Sequence, residues 1–174
     1  MDTHTTSIQY AFKTIITCIL YTLISAFIAL PAIANVNQYK LGELEIIYPW
    51  TRETPKSAKV GSGYLHIINH GNTPDRLIAI SMDGVQETEI HSMAAVNNIM
   101  QMKKLSNGIE IPGNGEIILK PGGNHIMFIG LSQPFQQGNK INAKLTFEKA
   151  GAINVDFFVD AIGVTSSSKP HTSH

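Results

Sequence analysis

Short apolar runs separated by turn residues are the feature that most constrains the fold of this chain. After residue 42, segments rich in Ile, Val, Tyr and Phe alternate with clusters of Gly, Pro and Asn. That alternation is typical of an all-β sandwich or barrel. The pattern predicts about nine short strands, near residues 43–50, 61–69, 75–81, 86–92, 99–104, 115–120, 124–130, 141–148 and 153–160.

The first 34 residues have the layout of a secretory signal. Lys13 precedes an apolar run from Thr14 to Leu30, and the triplet Ala32-Ile33-Ala34 is a small-x-small cleavage pattern. We therefore predict a signal peptide over 1–34 and one folded domain over 35–164, located in the periplasm. An uncleaved membrane anchor is the alternative, since the apolar run approaches the length of a spanning helix.

Charge and cysteine content exclude several kinds of partner and site. The chain has 13 basic and 13 acidic residues, so no net charge favours nucleic acid or an anionic membrane surface. We expect no membrane insertion after cleavage. The single cysteine, Cys18, falls within the predicted signal, and the mature domain then has neither disulfides nor thiolate ligands.

Methionine and histidine cluster in one part of the sequence. Four of the six methionines and two of the seven histidines lie between residues 91 and 127. Thioether sulfur is a soft donor that favours Cu(I), and imidazole also binds copper well. Zinc prefers Cys, His or carboxylate ligands. The cluster consists of His91, Met93, Met100, Met102, His125 and Met127.

Strand geometry makes a compact site plausible. His125 and Met127 are two residues apart on a predicted strand, so they project from the same face. His91 and Met93 form a second such pair, and Met100 and Met102 a third. A short Asn97-Asn98 turn would bring these last two pairs side by side. Core packing of the methionines is the competing interpretation, because methionine commonly fills gaps in protein interiors.

Several longer motifs resemble those of one known family. They are Tyr48-Pro49-Trp50-Thr51-Arg52, the segment 58–65 (AKVGSGYL), Asp75-Arg76-Leu77, Glu89-Ile90-His91, Met100-Gln101-Met102 and the segment 120–127 (KPGGNHIM). Together they resemble the PCu(A)C family of periplasmic copper chaperones over nearly the whole mature domain. The pattern in that family is a histidine, ten residues, a methionine, a longer gap and His-x-Met. It falls here on the metal-site residues His91, Met102, His125 and Met127.

The resemblance implies a single-domain, cupredoxin-like Greek-key β-sandwich that binds Cu(I). It also implies delivery of copper to the dinuclear centre of cytochrome c oxidase, with the copper-bearing subunit as recipient and a thioredoxin-like Sco protein as a further partner. Met93 and Met100 lie near the middle methionine position, but only Met102 leaves ten residues after His91. We expect a monomer that is not an enzyme, since catalytic sequence signatures are missing.

Other functions compatible with the sequence stay open. A copper storage or resistance protein would use the same site with different partners, and a copper-independent interaction module would need no site at all. An electron-transfer cupredoxin is excluded, because a blue-copper centre needs a cysteine thiolate.

Three other groups of residues receive structural interpretations. We interpret His66 and His70 as solvent-facing or hydrogen-bonded strand residues, and Trp50 and Arg52 as packing residues. The polar tail over 165–174 is predicted to be disordered. Its residues His171 and His174 are candidates for a separate Cu(II) site.

Cleavage after Ala34 is the first testable prediction, because this is the small-x-small triplet directly following the apolar run. The exported protein should therefore begin at Asn35, as N-terminal sequencing can establish. Recovery of an intact Met1 in the membrane fraction would instead favour the anchored alternative.

Overall fold

The computed structural model describes residues 37–96 and 99–166, and this part of the chain is all-β. The described residues form one compact unit. The predicted signal peptide, the Asn97-Asn98 turn and the tail beyond residue 166 lie outside the described residues. Within the described ranges, no helix has the length and hydrophobicity required to cross a bilayer.

Eleven strands make up the described chain. In chain order they are β1 (Gln38–Leu41), β2 (Leu44–Arg52), β3 (Val60–Asn69), β4 (Asp75–Met82), β5 (Glu87–Val96), β6 (Ile99–Lys104), β7 (Ile109–Ile111), β8 (Gly115–Leu119), β9 (His125–Ile129), β10 (Lys140–Phe147) and β11 (Gly151–Asp160). All nine predicted strands are present, so the all-β prediction is confirmed. The predicted number is corrected from nine to eleven, because β1 and β7 were not predicted.

The strands join into one continuous hydrogen-bonded sheet that folds over on itself. Its order is β6-β5-β9-β3-β2-β11-β10-β4-β7, with β1 added beside β2 and β8 beside β3. Non-paired contacts of β4 with β5 and of β7 with β8 close the two layers over each other. The pairings are antiparallel except for the parallel pairing of β2 with β11. The predicted β-sandwich is thereby formed from a single folded sheet.

A bulge in β2 lets this strand serve both layers. The register with β3 shifts between Ile47 and Trp50, and Tyr48 adopts a φ of 48°. The residues before the bulge pair with β1, whereas those after it pair with β11. Pro49 has no amide hydrogen to donate to a ladder, and prolines in strands are found at such irregularities. The Tyr48-Pro49 motif thus marks the bend of the strand.

Alternation along β9 separates the core from the opposite face of the sheet. Ile126 and Phe128 are fully buried in the hydrophobic core, together with Ile90 of the neighbouring strand β5. His125 and Met127 alternate with them and therefore project from the other face. The core holds these strands in place and leaves their polar and sulfur-bearing face available.

Gly63 of β3 allows two aromatic rings to approach the backbone. A Cβ atom at this buried position would lie 2.7 Å from Phe128 and 3.1 Å from Phe157. These two rings pack edge to face, with their centroids 5.7 Å apart. Neither ring can withdraw without disturbing the core.

Gly63→Ala should therefore lower the free energy of unfolding by about 1–3 kcal/mol through overpacking. Urea denaturation measures the change. Gly163→Ala is the matched control, because a Cβ there meets no atom within 4 Å. Equal stability of the two variants would contradict this account of the Gly63 environment.

Candidate metal site

Strand register places all six clustered donors on one face of the sheet. His91 on β5 lies opposite His125 on β9, and Met93 on β5 lies opposite Met102 on β6. Residues directly opposite in an antiparallel pair share a face, as do residues two apart on one strand. The face spans β6, β5 and β9 and carries His91, Met93, Met100, Met102, His125 and Met127.

The two histidine rings form the centre of this face. Their centroids are 5.7 Å apart, with an angle of 56° between the ring planes. His125 is 7% exposed, and His91 is partly buried. Nitrogen–metal bonds are about 2 Å long, so one ion between the rings could contact a nitrogen of each.

Hydrogen bonds fix which nitrogen of each ring carries the proton. The Nδ1–H of His125 donates to the carbonyl oxygen of Gly123 at 2.9 Å. The Nε2–H of His91 donates to Oε2 of Glu89 at 2.5 Å. Carbonyl and ionised carboxylate oxygens only accept hydrogen bonds, so these ring nitrogens must be the donors. Each neutral ring then keeps a lone pair on its other nitrogen.

In His91, the nitrogen that keeps the lone pair has no protein partner. Its Nδ1 is buried and has no hydrogen-bond partner. Buried polar atoms are nearly always satisfied, so an unpaired one calls for an explanation such as a bound ion. Metal-binding histidines typically donate their other N–H to a carboxylate or a backbone carbonyl. Both rings meet that description.

The methionines surround the histidine pair at different distances along the strands. On β6, Lys104 lies opposite His91, Met102 opposite Met93, and Met100 opposite Ala95. Met102 is therefore about 7 Å nearer than Met100 to the level of the histidines, at ~3.4 Å per residue. Met93 adjoins His91 on its own strand. This register is compatible with the prediction that Met102 is a metal ligand, and it makes Met93 the immediate neighbour of Met102.

Met127 is on β9, the strand of His125, and along the strands it is displaced from the histidine pair in the direction opposite to Met102. It is opposite Glu89 of β5 and Ser62 of β3. The Ser62 hydroxyl points at its sulfur, with a separation of 3.9 Å between Oγ and Sδ. Across residues 37–96 and 99–166, no group of three or more His, Cys, Asp and Glu side chains could hold a metal ion. Methionine sulfur is the further kind of metal donor present on this face.

A family model covers most of the strands described above. The model described as "Putative lipoprotein LpqE-like" matches residues 44–159. The chain belongs to the LpqE-like family. A relative in Leifsonia xyli subsp. xyli, "Putative lipoprotein Lxx21020", is 26% identical over 134 residues, which are 77% of this chain and 80% of the relative.

Two solved structures similar to this LpqE-like protein are PCuAC domains. The apo PCuAC domain from PmoF1 is 29% identical, with a TM-score of 0.62 over 72% of this chain and 99% of that domain. The copper-bound PCuAC domain from PmoF2 is 25% identical, with a TM-score of 0.61 over 72% of this chain and 98% of that domain. The resemblance to the PCu(A)C family and the predicted cupredoxin-like fold are confirmed.

Two charged residues beside the donors were not predicted to have a role at the site. Glu89 is on the donor face two residues before His91, and its Oε1 accepts a hydrogen bond from Lys104. Hydrogen bonds from Lys104 and from His91 lower the pKa of Glu89 from 4.5 to about 2. The carboxylate in turn raises the pKa of Lys104. The Glu-x-His spacing on one strand was the available sequence signal.

The residues given structural interpretations from the sequence lie on β2, on β3 or just after β3, and not on the strands that carry the six clustered His and Met residues. His66 pairs with Glu116 at 2.7 Å, and His70 pairs with Glu45 at 2.6 Å. His66 is a hydrogen-bonded strand histidine, as predicted. His70 is also hydrogen-bonded, but it lies one residue beyond the end of β3.

Trp50 and Arg52 are packing residues, also as predicted. The Trp50 ring is buried against Tyr64, with centroids 4.5 Å apart. The Arg52 guanidinium lies 5.7 Å from the centroid of the same Tyr64 ring. Its Nε donates to the carbonyl oxygen of Val164 at 2.7 Å, which attaches the chain after β11 to β2.

Ionisation of Glu89 should stabilise the fold in a pH-dependent way. Its pKa is lower in the folded protein, so the contribution is complete above the unfolded value and is lost as pH falls through about 2. The stability difference between wild type and Glu89→Gln should therefore shrink as pH falls from about 4.5 to about 2. Urea denaturation at a series of pH values measures it.

Lys104 is the larger cause of the lowered pKa, so it provides the control. In a Lys104→Met background, the same Glu89→Gln comparison should show a much weaker dependence on pH. A wild-type difference that stays constant from pH 5 to pH 2 would contradict the assigned pKa.

Proposed function

We propose that this protein is an exported copper chaperone that binds one Cu(I) ion through His91, Met102, His125 and Met127 and passes it to another protein. The observation that supports this most strongly is the facing histidine pair. Each ring has one nitrogen held as an N–H donor, and the buried Nδ1 of His91 has no protein partner. Along the strands, Met102 and Met127 lie on opposite sides of the pair.

The donor chemistry favours monovalent copper. Two neutral imidazoles and two thioethers add no negative charge, and thioethers bind soft Cu(I) far better than harder divalent ions. The carboxylate on this face, Glu89, has both oxygens engaged by hydrogen bonds to Lys104 and His91. It is therefore occupied as an acceptor and is not available as a hard oxygen ligand.

Access to the site favours transfer. Met100 and Met102 are 54% and 52% exposed on β6, the strand at the end of the sheet order. An acceptor could approach this edge and replace the donors one at a time, with an incoming thiolate or imidazole sharing the ion during exchange. The exposed methionines would then lie in the contact surface.

We further propose that the protein acts in the periplasm and supplies the dinuclear copper centre of cytochrome c oxidase. The recipient would be the copper-bearing subunit, with a Sco protein as an additional partner. Support comes from the predicted signal peptide, from a family model and one relative that are both described as putative lipoproteins, and from the likeness to PCuAC domains, one of them copper-bound.

Anaerobic titration of residues 35–174 with Cu(I) against a competing chelator tests the binding step. We expect one tightly bound equivalent, and mixing the loaded protein with the apo copper-bearing oxidase subunit should then move copper to that subunit. Binding without transfer to it would favour the storage or resistance function. No binding at one equivalent would favour the copper-independent module.

Removing any proposed ligand should weaken Cu(I) binding while the fold persists. His91→Phe, His125→Phe, Met102→Leu and Met127→Leu should each lower the affinity about tenfold or more, equivalent to ~1.4 kcal/mol. Chelator competition measures the affinity.

Met93→Leu and Met100→Leu are the matched controls, because leucine keeps the apolar volume and removes only the sulfur. Both should have much smaller effects. If Met93→Leu greatly lowered the Cu(I) affinity and Met102→Leu did not, the third metal ligand would be Met93 on β5 and not Met102 on β6. Unchanged affinity in every variant would leave the cluster as packing alone.

A further inference from the structure

Glu89 connects the histidine pair to a lysine at the edge of the sheet. Its Oε2 accepts from Nε2 of His91, and its Oε1 accepts from Nζ of Lys104. The Glu89 and His91 side chains are only 14% and 13% exposed. This contact is therefore sheltered from competing water, unlike the pair that Lys104 also makes with the 55% exposed Glu87.

We propose that Glu89 is a positioning residue that fixes His91 in the Nε2–H form, so that Nδ1 of His91 is the nitrogen that binds Cu(I). The inference rests on the proposed copper-binding function. His125 has the opposite arrangement, because its Nδ1–H donates to Gly123 and its Nε2 keeps the lone pair. The two histidines thus bind through different nitrogens.

The surroundings of His91 explain why its proton position matters. If the proton moved to Nδ1, a buried N–H would have no acceptor, and the unprotonated Nε2 would face the carboxylate of Glu89. Both consequences are unfavourable, since buried donors need partners and two acceptors cannot bond to each other. Glu89 therefore selects the tautomer and the orientation of the ring before any ion arrives.

Lys104 completes the arrangement from β6. It lies opposite His91 in the β5–β6 pairing and reaches across to Glu89. By holding Oε1, it keeps the carboxylate aligned with the ring and balances its charge. The donor face can then hold an ionised carboxylate beside the histidines without that carboxylate serving as a ligand.

The test begins with the apo protein over residues 35–174. Long-range proton–nitrogen NMR of the imidazole rings identifies which nitrogen carries the proton. We expect Nε2–H for His91 and Nδ1–H for His125. In Glu89→Gln, whose amide can both donate and accept, His91 should become a mixture of tautomers while His125 stays unchanged.

Glu87→Gln is the matched control, because Glu87 also pairs with Lys104 but has no hydrogen bond to His91. It should leave both tautomers unchanged. In chelator competition, Glu89→Gln should bind Cu(I) about 10–100-fold more weakly, the usual cost of losing a partner of a metal-binding histidine. Glu87→Gln should bind as the wild type does.

Each result separates the positioning role from copper binding itself. An Nδ1–H form of His91 in the wild type, or an unchanged tautomer in both Glu89→Gln and Glu89→Leu, would overturn the proposal. A changed tautomer with unchanged Cu(I) affinity would also overturn it. A wild type that binds no Cu(I) would overturn the proposed function and the ligand role of Nδ1, whereas NMR would still report whether Glu89 orients the ring.

Discussion

His91 lies directly opposite His125 because β5 and β9 pair in one antiparallel register. In the same pairing, Ile90 lies opposite Ile126, and both are buried in the core. A slip of one residue in either strand would turn its histidine into the core and its isoleucine out to the donor face. Burial of the isoleucines therefore sets the position of the histidines, and the proposed metal site depends on the hydrophobic core beneath it.

The strands could be predicted from the sequence because most of them are long and contain a clear apolar pattern. β1 and β7 could not, because Gln38–Leu41 is largely polar and Ile109–Ile111 has only three residues. Both add to edges that other strands supply. The pairing of strands that are distant in sequence could not be predicted either. An alternating pattern shows which residues of a strand share a face, but it does not identify the neighbouring strands.

The candidate site shows the same division between local features, which could be predicted, and tertiary pairings, which could not. The i, i+2 spacing correctly placed His125 with Met127 and His91 with Met93, because that geometry is local to one strand. The meeting of β5 with β9 required the tertiary register. Glu89 and Lys104 are ordinary charged residues in the sequence, and only the fold shows that Lys104 lies opposite His91 and reaches Glu89. These two residues contribute by orienting a neighbouring side chain, and such a contribution is hard to recognise from composition or residue spacing.

The face also has a gradient of burial that bears on how an ion could be held and released. His125 is 7% exposed and is anchored to the backbone at Gly123, whereas Met102 is 52% exposed on the edge strand. A fixed ring loses little conformational entropy on binding an ion, but an exposed thioether on a flexible side chain loses more. At the proposed site, the Met102 sulfur would thus be the metal ligand most easily replaced, and the histidines would hold the ion while an acceptor takes that place. Exchange would then proceed inward from β6 toward β9, with the best-positioned ligand leaving last.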